Sequence, residues 1–176
     1  MSIPEVVEAI NQLASGKGLP PLKVGPAFGM NEIEAIEASL GALHPSGLFD
    51  FLSRFGRVDA WGVAATFDLH SLVAESNSLT RTLTSSPRFR PQKYPFLAPL
   101  HSGEAVAVIV GTTDAASVGY SFILANKTRR EDSAFWFFWR DEYLFEKVAD
   151  DVTGWLDSFL GYALAYAIQH SKESSP

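Results

Sequence analysis

A chain of 176 residues fits one domain, and that length buries a core without covalent staples. Hydrophobic residues make up 47% and charged residues 19%, a globular balance that excludes a disordered chain. The absence of cysteine excludes disulfides, thiolate zinc sites and cysteine nucleophiles, and a net charge of −6 disfavours nucleic acid as a direct partner.

A first helix is signalled at Ser2–Glu5, where serine and a glutamate three residues later form a capping box. Ile3, Val6, Val7, Ile10 and Leu13 then recur at helical spacing. Lys17 to Met30 holds three prolines and three glycines and reads as a loop or arm. Residues 1–30 are therefore set apart from a main domain over 31–170, with a frayed tail at 171–176. A second capping box is read at Asn31 and Glu34, with Gly41 ending that helix. Pro45 opens a third helix carrying Leu48, Phe49, Leu52 and Phe55, which Gly56 stops.

Beyond Gly56 the period changes. Trp61–Phe67 reads as a strand, and Asp68 as the cap of one short helical turn. Residues 76–93 are polar and read as an irregular loop. Tyr94–Leu100 is a candidate edge strand, since it carries Pro95 and Pro99. Glu104–Val110 reads as a central strand, Gly111–Ser117 as a turn around Asp114, and Val118–Ala125 as the returning strand. Lys127–Asp132 is a hairpin tip, and Ala134–Trp139 runs back. The last element is a helix whose face holds Val152, Trp155, Leu156, Phe159, Leu160, Ala163, Leu164 and Ala167. Helices, then strands, then a helix make an α+β fold, with a mixed or mostly antiparallel sheet flanked by helices.

Catalytic patterns are sparse. None of His44, His70, His101 and His170 lies four residues from another, so no helical metal pair exists. His101 and Ser102 are neighbours, and adjacent residues on an extended chain point apart. Gly111–Gly119 lacks the lysine of a phosphate-binding loop. No catalytic residue, cofactor or metal is expected. The most unusual stretch is Phe135-Trp136-Phe137-Phe138-Trp139, aromatic on both faces of a strand. A central strand covered on both sides would explain it, and so would a face covered by a partner. The acids that follow, Asp141, Glu142, Glu146, Asp150 and Asp151, have only Lys147 among them. With Trp136 and Trp139 they form the candidate partner-binding surface: aromatic anchors beside an acidic rim.

The order of motifs resembles the SUKH superfamily, which includes bacterial immunity proteins and fungal cell-wall regulators. Ile36-Glu37-Ala38-Ser39-Leu40-Gly41, then Leu43-His44-Pro45, then Phe51-Leu52-Ser53-Arg54-Phe55-Gly56 look like its glutamate-bearing helix, leucine–proline step and helix ending in an aromatic and glycine. Phe145–Asp151 followed by Trp155-Leu156 looks like its final strand and helix. The resemblance spans roughly 31–165. His44 intervenes between leucine and proline, and Phe55 stands where the family has asparagine. The resemblance implies a SUKH-like fold and a non-enzymatic immunity protein that neutralises a cognate toxin domain, a nuclease or another nucleic-acid-modifying enzyme. A scaffold of the same fold, or a small-ligand or enzymatic site between sheet and helices drawing on His101, Ser102 and the aromatic strand, is the alternative. With no basic–apolar leader at Met1–Glu5 and no apolar run of membrane length, the expected location is cytoplasmic, with no membrane association.

Overall fold

The structure, a computed structural model, describes residues 2–66, 69–113 and 119–173. The expected Asp68 cap and the turn around Asp114 lie outside the described residues. Seven strands form one sheet: β1 (Lys23–Val24), β2 (Val58–Ala60), β3 (Ala64–Thr66), β4 (Ala105–Thr113), β5 (Gly119–Asn126), β6 (Phe135–Trp139) and β7 (Leu144–Ala149). Each strand pairs with the next, and all six pairings are antiparallel. Six helices accompany them: α1 (Ile3–Ser15), α2 (Met30–Leu40), α3 (Ser46–Arg54), α4 (Leu69–Ser85), α5 (Ala98–His101) and α6 (Val152–Glu173). The fold is α+β, and the sheet is a pure meander.

Residues 2–30 are built into this body. Ser2 N–H donates to the Glu5 carboxylate at 2.5 Å, as the capping box requires, and this bond lowers the Glu5 pKa. Val6, Val7, Ile10 and Ala14 are buried and α1 packs on α6, whereas Leu13 points to solvent. β1 adds a strand to the sheet. Beside it, Gly25 and Gly56 approach so closely that a Cβ on Gly56 would lie 1.9 Å from the Pro26 carbonyl oxygen. Only glycine fits there, so the glycine expected to stop α3 also seats the preceding segment. Trp61 reinforces the seat by donating its indole N–H to Pro20 O at 2.7 Å.

Several boundaries differ from the sequence reading. The α2 cap sits two residues early, where the Glu32 carboxylate accepts Gly29 N–H at 2.7 Å. Trp61–Phe67 does not form one strand. Trp61 and Gly62 both have positive φ, as a primed hairpin turn between β2 and β3 requires, and Asp59 accepts Gly62 N–H. Residues 94–100 are a 3-10 turn and α5, with Pro95 and Pro99 in their first turns, where a missing N–H costs little. The helix α6 runs to Glu173, through the start of the expected frayed tail.

The largest difference is α4, seventeen residues of helix where a short turn and a loop were expected. Its inward face carries Leu72, Ser76, Leu79 and Leu83, all buried. β3 pairs only with the Gly111–Thr113 end of β4. Along the rest of that edge, Ile109 N–H donates to Ser76 Oγ and Ala107 N–H to Thr80 Oγ1, both at 3.0 Å. Four residues of helix rise about 6 Å and two residues of strand about 6.6 Å, so the two repeats run in step. The hydroxyls thus satisfy strand amides that would otherwise be buried without partners.

The sheet is covered on both faces near β6. On one side Trp155 of α6 stacks on Phe135, with centroids 5.2 Å apart. On the other, the segment before β4 brings Phe89, Tyr94 and Phe96 against Phe138, Phe145 and Trp136. β6 is therefore a covered inner strand, and β7 is the edge. That edge carries Glu146 and Lys147 beside an irregular register at Phe135/Trp136, features that discourage edge-to-edge pairing.

Candidate partner-binding surface

The residues proposed from sequence fall into three places. Trp136 stacks face to face on Phe96, with centroids 3.7 Å apart and planes 10° from parallel. It braces the far face of the sheet. Asp150 and Asp151 lie at the base of α6. Asp150 pairs with Lys147 at 2.5 Å, and Asp151 Oδ1 accepts Gly154 N–H at 2.8 Å, an N-cap that satisfies an otherwise free helix amide. With Asp132 they border a small notch of about 100 Å³ beside Pro45 and Gly47. Trp139, Asp141 and Glu142 lie at the opposite end of β7, around the β6–β7 turn, and Glu146 lies midway along the strand. β7 is six residues long, so about 17 Å separates its two ends.

At that turn the α6 side of the sheet carries a half-open cavity of about 170 Å³. Its walls include Phe137, Trp139, Phe159 and Tyr162, and Glu146 brings a carboxylate to it. Strand alternation selects the first three sheet members: Phe137, Trp139 and Glu146 share one face, since Phe137 pairs with Glu146 across the ladder. Two glycines give the rings room. A Cβ on Gly119 would lie 2.2 Å from Phe137 Cζ, and one on Gly111 would lie 2.9 Å from Phe159 Cζ. Tyr162 follows Trp155 by two helical turns and so reaches the same sheet face. Leu144 pairs with Trp139 and is 49% exposed, and Tyr162 is 39% exposed. The sequence reading missed Leu144 and Tyr162. Their signals were an apolar residue at a charged turn and an i+7 aromatic on the last helix.

On the opposite face Arg140 lies over the Tyr120 ring and donates to its hydroxyl at 3.2 Å. Asp141 and Tyr143 line a more polar recess there, and Arg88 covers the Tyr143 ring.

A second polar group is sealed within the fold. Glu37 near the end of α2 accepts His44 N–H at 2.8 Å and faces His44 Nδ1 at 3.1 Å. Arg130, from the β5–β6 loop, grips both Glu37 oxygens and lies over the Phe49 ring at 4.5 Å. Burial raises the Glu37 pKa, but the Arg130 and His44 bonds outweigh it and leave the carboxyl below its ordinary value. Burial lowers the His44 pKa, against the pull of Glu37. Glu37 in turn raises the Arg130 pKa. His44 Nε2 is buried with no hydrogen-bond partner among the described residues, so a proton there has no acceptor.

His101 Nε2 lies 2.8 Å from Phe89 O, and Ser102 Oγ donates to Pro99 O at 3.1 Å; each faces a main-chain carbonyl. Among the described residues no group of three or more His, Asp or Glu side chains is placed to hold a metal ion, and no helix is long and apolar enough to cross a membrane. No protein-family model matches the chain, and no curated protein matches it either.

Proposed function

We propose that this chain is a protein-binding domain of the immunity type, SUKH-like in its motifs, which neutralises a toxin by covering a basic face of it in the cytoplasm. The observation that carries this reading is the β6–β7 corner. Leu144 and Tyr162 are exposed beside the half-buried Trp139, the Glu146 carboxylate shares their face of the sheet, and the exposed Asp141 and Glu142 stand at the adjoining turn, Asp141 toward its far face. Aromatic and aliphatic anchors within a charged rim are the anatomy of a specific protein interface. The rim's sign suits a nuclease or another enzyme that grips nucleic acid, because such an enzyme's substrate groove is basic. The resemblance of Ile36–Gly41, Leu43–Pro45 and Phe51–Gly56 to the SUKH signature supports the same reading.

The experiment is co-expression with toxin domains encoded beside this chain in its native genome, scored by cell survival. Wild type is expected to protect, and the Leu144→Asp, Tyr162→Asp double variant to fail while remaining folded. Survival that never exceeds an empty control, across all neighbouring toxins, ends the immunity reading.

A further inference from the structure

We propose that the cavity between α6 and the β6–β7 corner is a cage for a lysine or arginine side chain of the partner protein. The protein source of that side chain rests on the function proposed above; the chemistry of the cage rests on its walls. Phe137, Trp139, Phe159 and Tyr162 surround the space, and aromatic ring faces attract cations. Glu146 adds a carboxylate, and among the described residues no cation pairs with it. The nearby bases are engaged elsewhere. Arg140 lies over Tyr120 on the opposite face of the sheet, and Lys147 holds Asp150. The hydroxyls of Ser121, Ser158 and Tyr162 add acceptors for N–H groups.

Size and charge select the occupant. A volume of about 170 Å³ is close to that of cavities that hold one benzene molecule, about 150 Å³. It admits an ammonium with its last methylenes, or a guanidinium, and it is too small for a nucleotide. An anion is repelled by Glu146. A purely apolar side chain would fit by volume but would desolvate the carboxylate with nothing in return. Arg130 shows the same chemistry inside the fold, a cation over an aromatic ring and bonded to a glutamate.

The test uses the full chain, labelled for NMR and titrated with three probes. These are N-acetyl-lysine amide, N-acetyl-arginine amide and N-acetyl-norleucine amide, the last being a lysine stem without the charge. The two cations are expected to shift the Trp139 indole N–H signal saturably in the millimolar range, and norleucine amide to leave it in place. Glu146→Gln, a change at an exposed position, should weaken the cation affinity roughly threefold to fivefold, in line with a solvent-facing ion pair. Equal shifts from norleucine and lysine amides, or an affinity unchanged in Glu146→Gln, would overturn the cage. Survival assays separate this proposal from the one beneath it. A Glu146→Lys variant, whose own charge excludes both cations, that protects cells like wild type removes the docking role and leaves the immunity reading standing. Intact cation binding in a chain that protects against no toxin removes the immunity reading and leaves the cage.

Discussion

Two regions of this molecule set a carboxylate beside aromatic rings, and they differ in where the matching cation comes from. At the end of α2, Glu37 is 5% exposed and its cation, Arg130, arrives from the chain's own β5–β6 loop over the Phe49 ring. At the β6–β7 corner, Glu146 is exposed among Trp139, Phe137 and Tyr162, and the chain's nearby bases are bound to other groups. A buried charge with its partner inside the chain holds the fold together, because losing either member strands the other. An exposed charge whose partner is not in the chain contributes little to stability and is free to select what docks. On the function proposed above, the first region belongs to folding and the second to recognition, and this division can be broken by experiment.

The largest effect is expected at Glu37. Glu37→Ala removes the acceptor for Arg130 and for two His44 groups and should cost about 3 kcal/mol, read from urea denaturation. That lies at the low end for a buried pair, since the Arg130 side chain is 34% exposed. A cost well below 1 kcal/mol would mean that the cluster is not a structural knot. Gly119→Ala is expected next, at about 2 kcal/mol, because the new methyl drives Phe137 out of its seat. It should also move the Trp139 indole signal. An unmoved signal with full stability would show that the glycine does not shape the cavity.

How much of this was legible beforehand follows the same division. Strands β4 to β6 and helix α6 carry apolar runs and faces that could be read directly, whereas β7, with its mixed Leu144–Ala149 sequence, was expected only through the SUKH resemblance. The helix α4 could not, because Ser76 and Thr80 on its inner face look like loop residues. Their role is set by Ala107 and Ile109, about thirty positions away and known only once the sheet is built. Trp139 and Glu146 were chosen separately, as an aromatic anchor and a member of the acidic rim, and their common face follows only from the β6–β7 register. Trp136 and Asp151 were chosen on the same grounds, and the structure sets Phe96 on the first and the Gly154 amide on the second. Glu37 and Arg130 are 93 positions apart, and no local pattern connects them.

Acid should also separate the two regions. Burial depresses the His44 pKa, so the unfolded chain binds a proton there more readily than the folded one. That stability is complete above the ordinary histidine value of about 6.5 and declines as pH falls through it. Glu37, whose pKa is lowered, adds stability above the ordinary carboxylate range that is lost on further acidification. Both shifts run the same way, so unfolding free energy should fall from neutral pH toward pH 4. The part of that fall nearest pH 6 should flatten in His44→Gln. A variant with the same profile as wild type would place the acid sensitivity elsewhere.

The smallest effect on stability is expected where the effect on recognition is greatest. Glu146→Gln and Leu144→Asp alter exposed side chains that brace no other element, so each should leave unfolding free energy within about 0.5 kcal/mol of wild type. Protection by Leu144→Asp should nevertheless drop, because a charge placed at the centre of an apolar contact must be desolvated when the partner arrives. Asp151→Lys offers the contrast. It removes the α6 cap and should cost about 1 kcal/mol, while lying about 17 Å from the corner. If Asp151→Lys abolished protection while Leu144→Asp left it whole, the binding face would sit at the base of α6 and the division drawn here would be reversed.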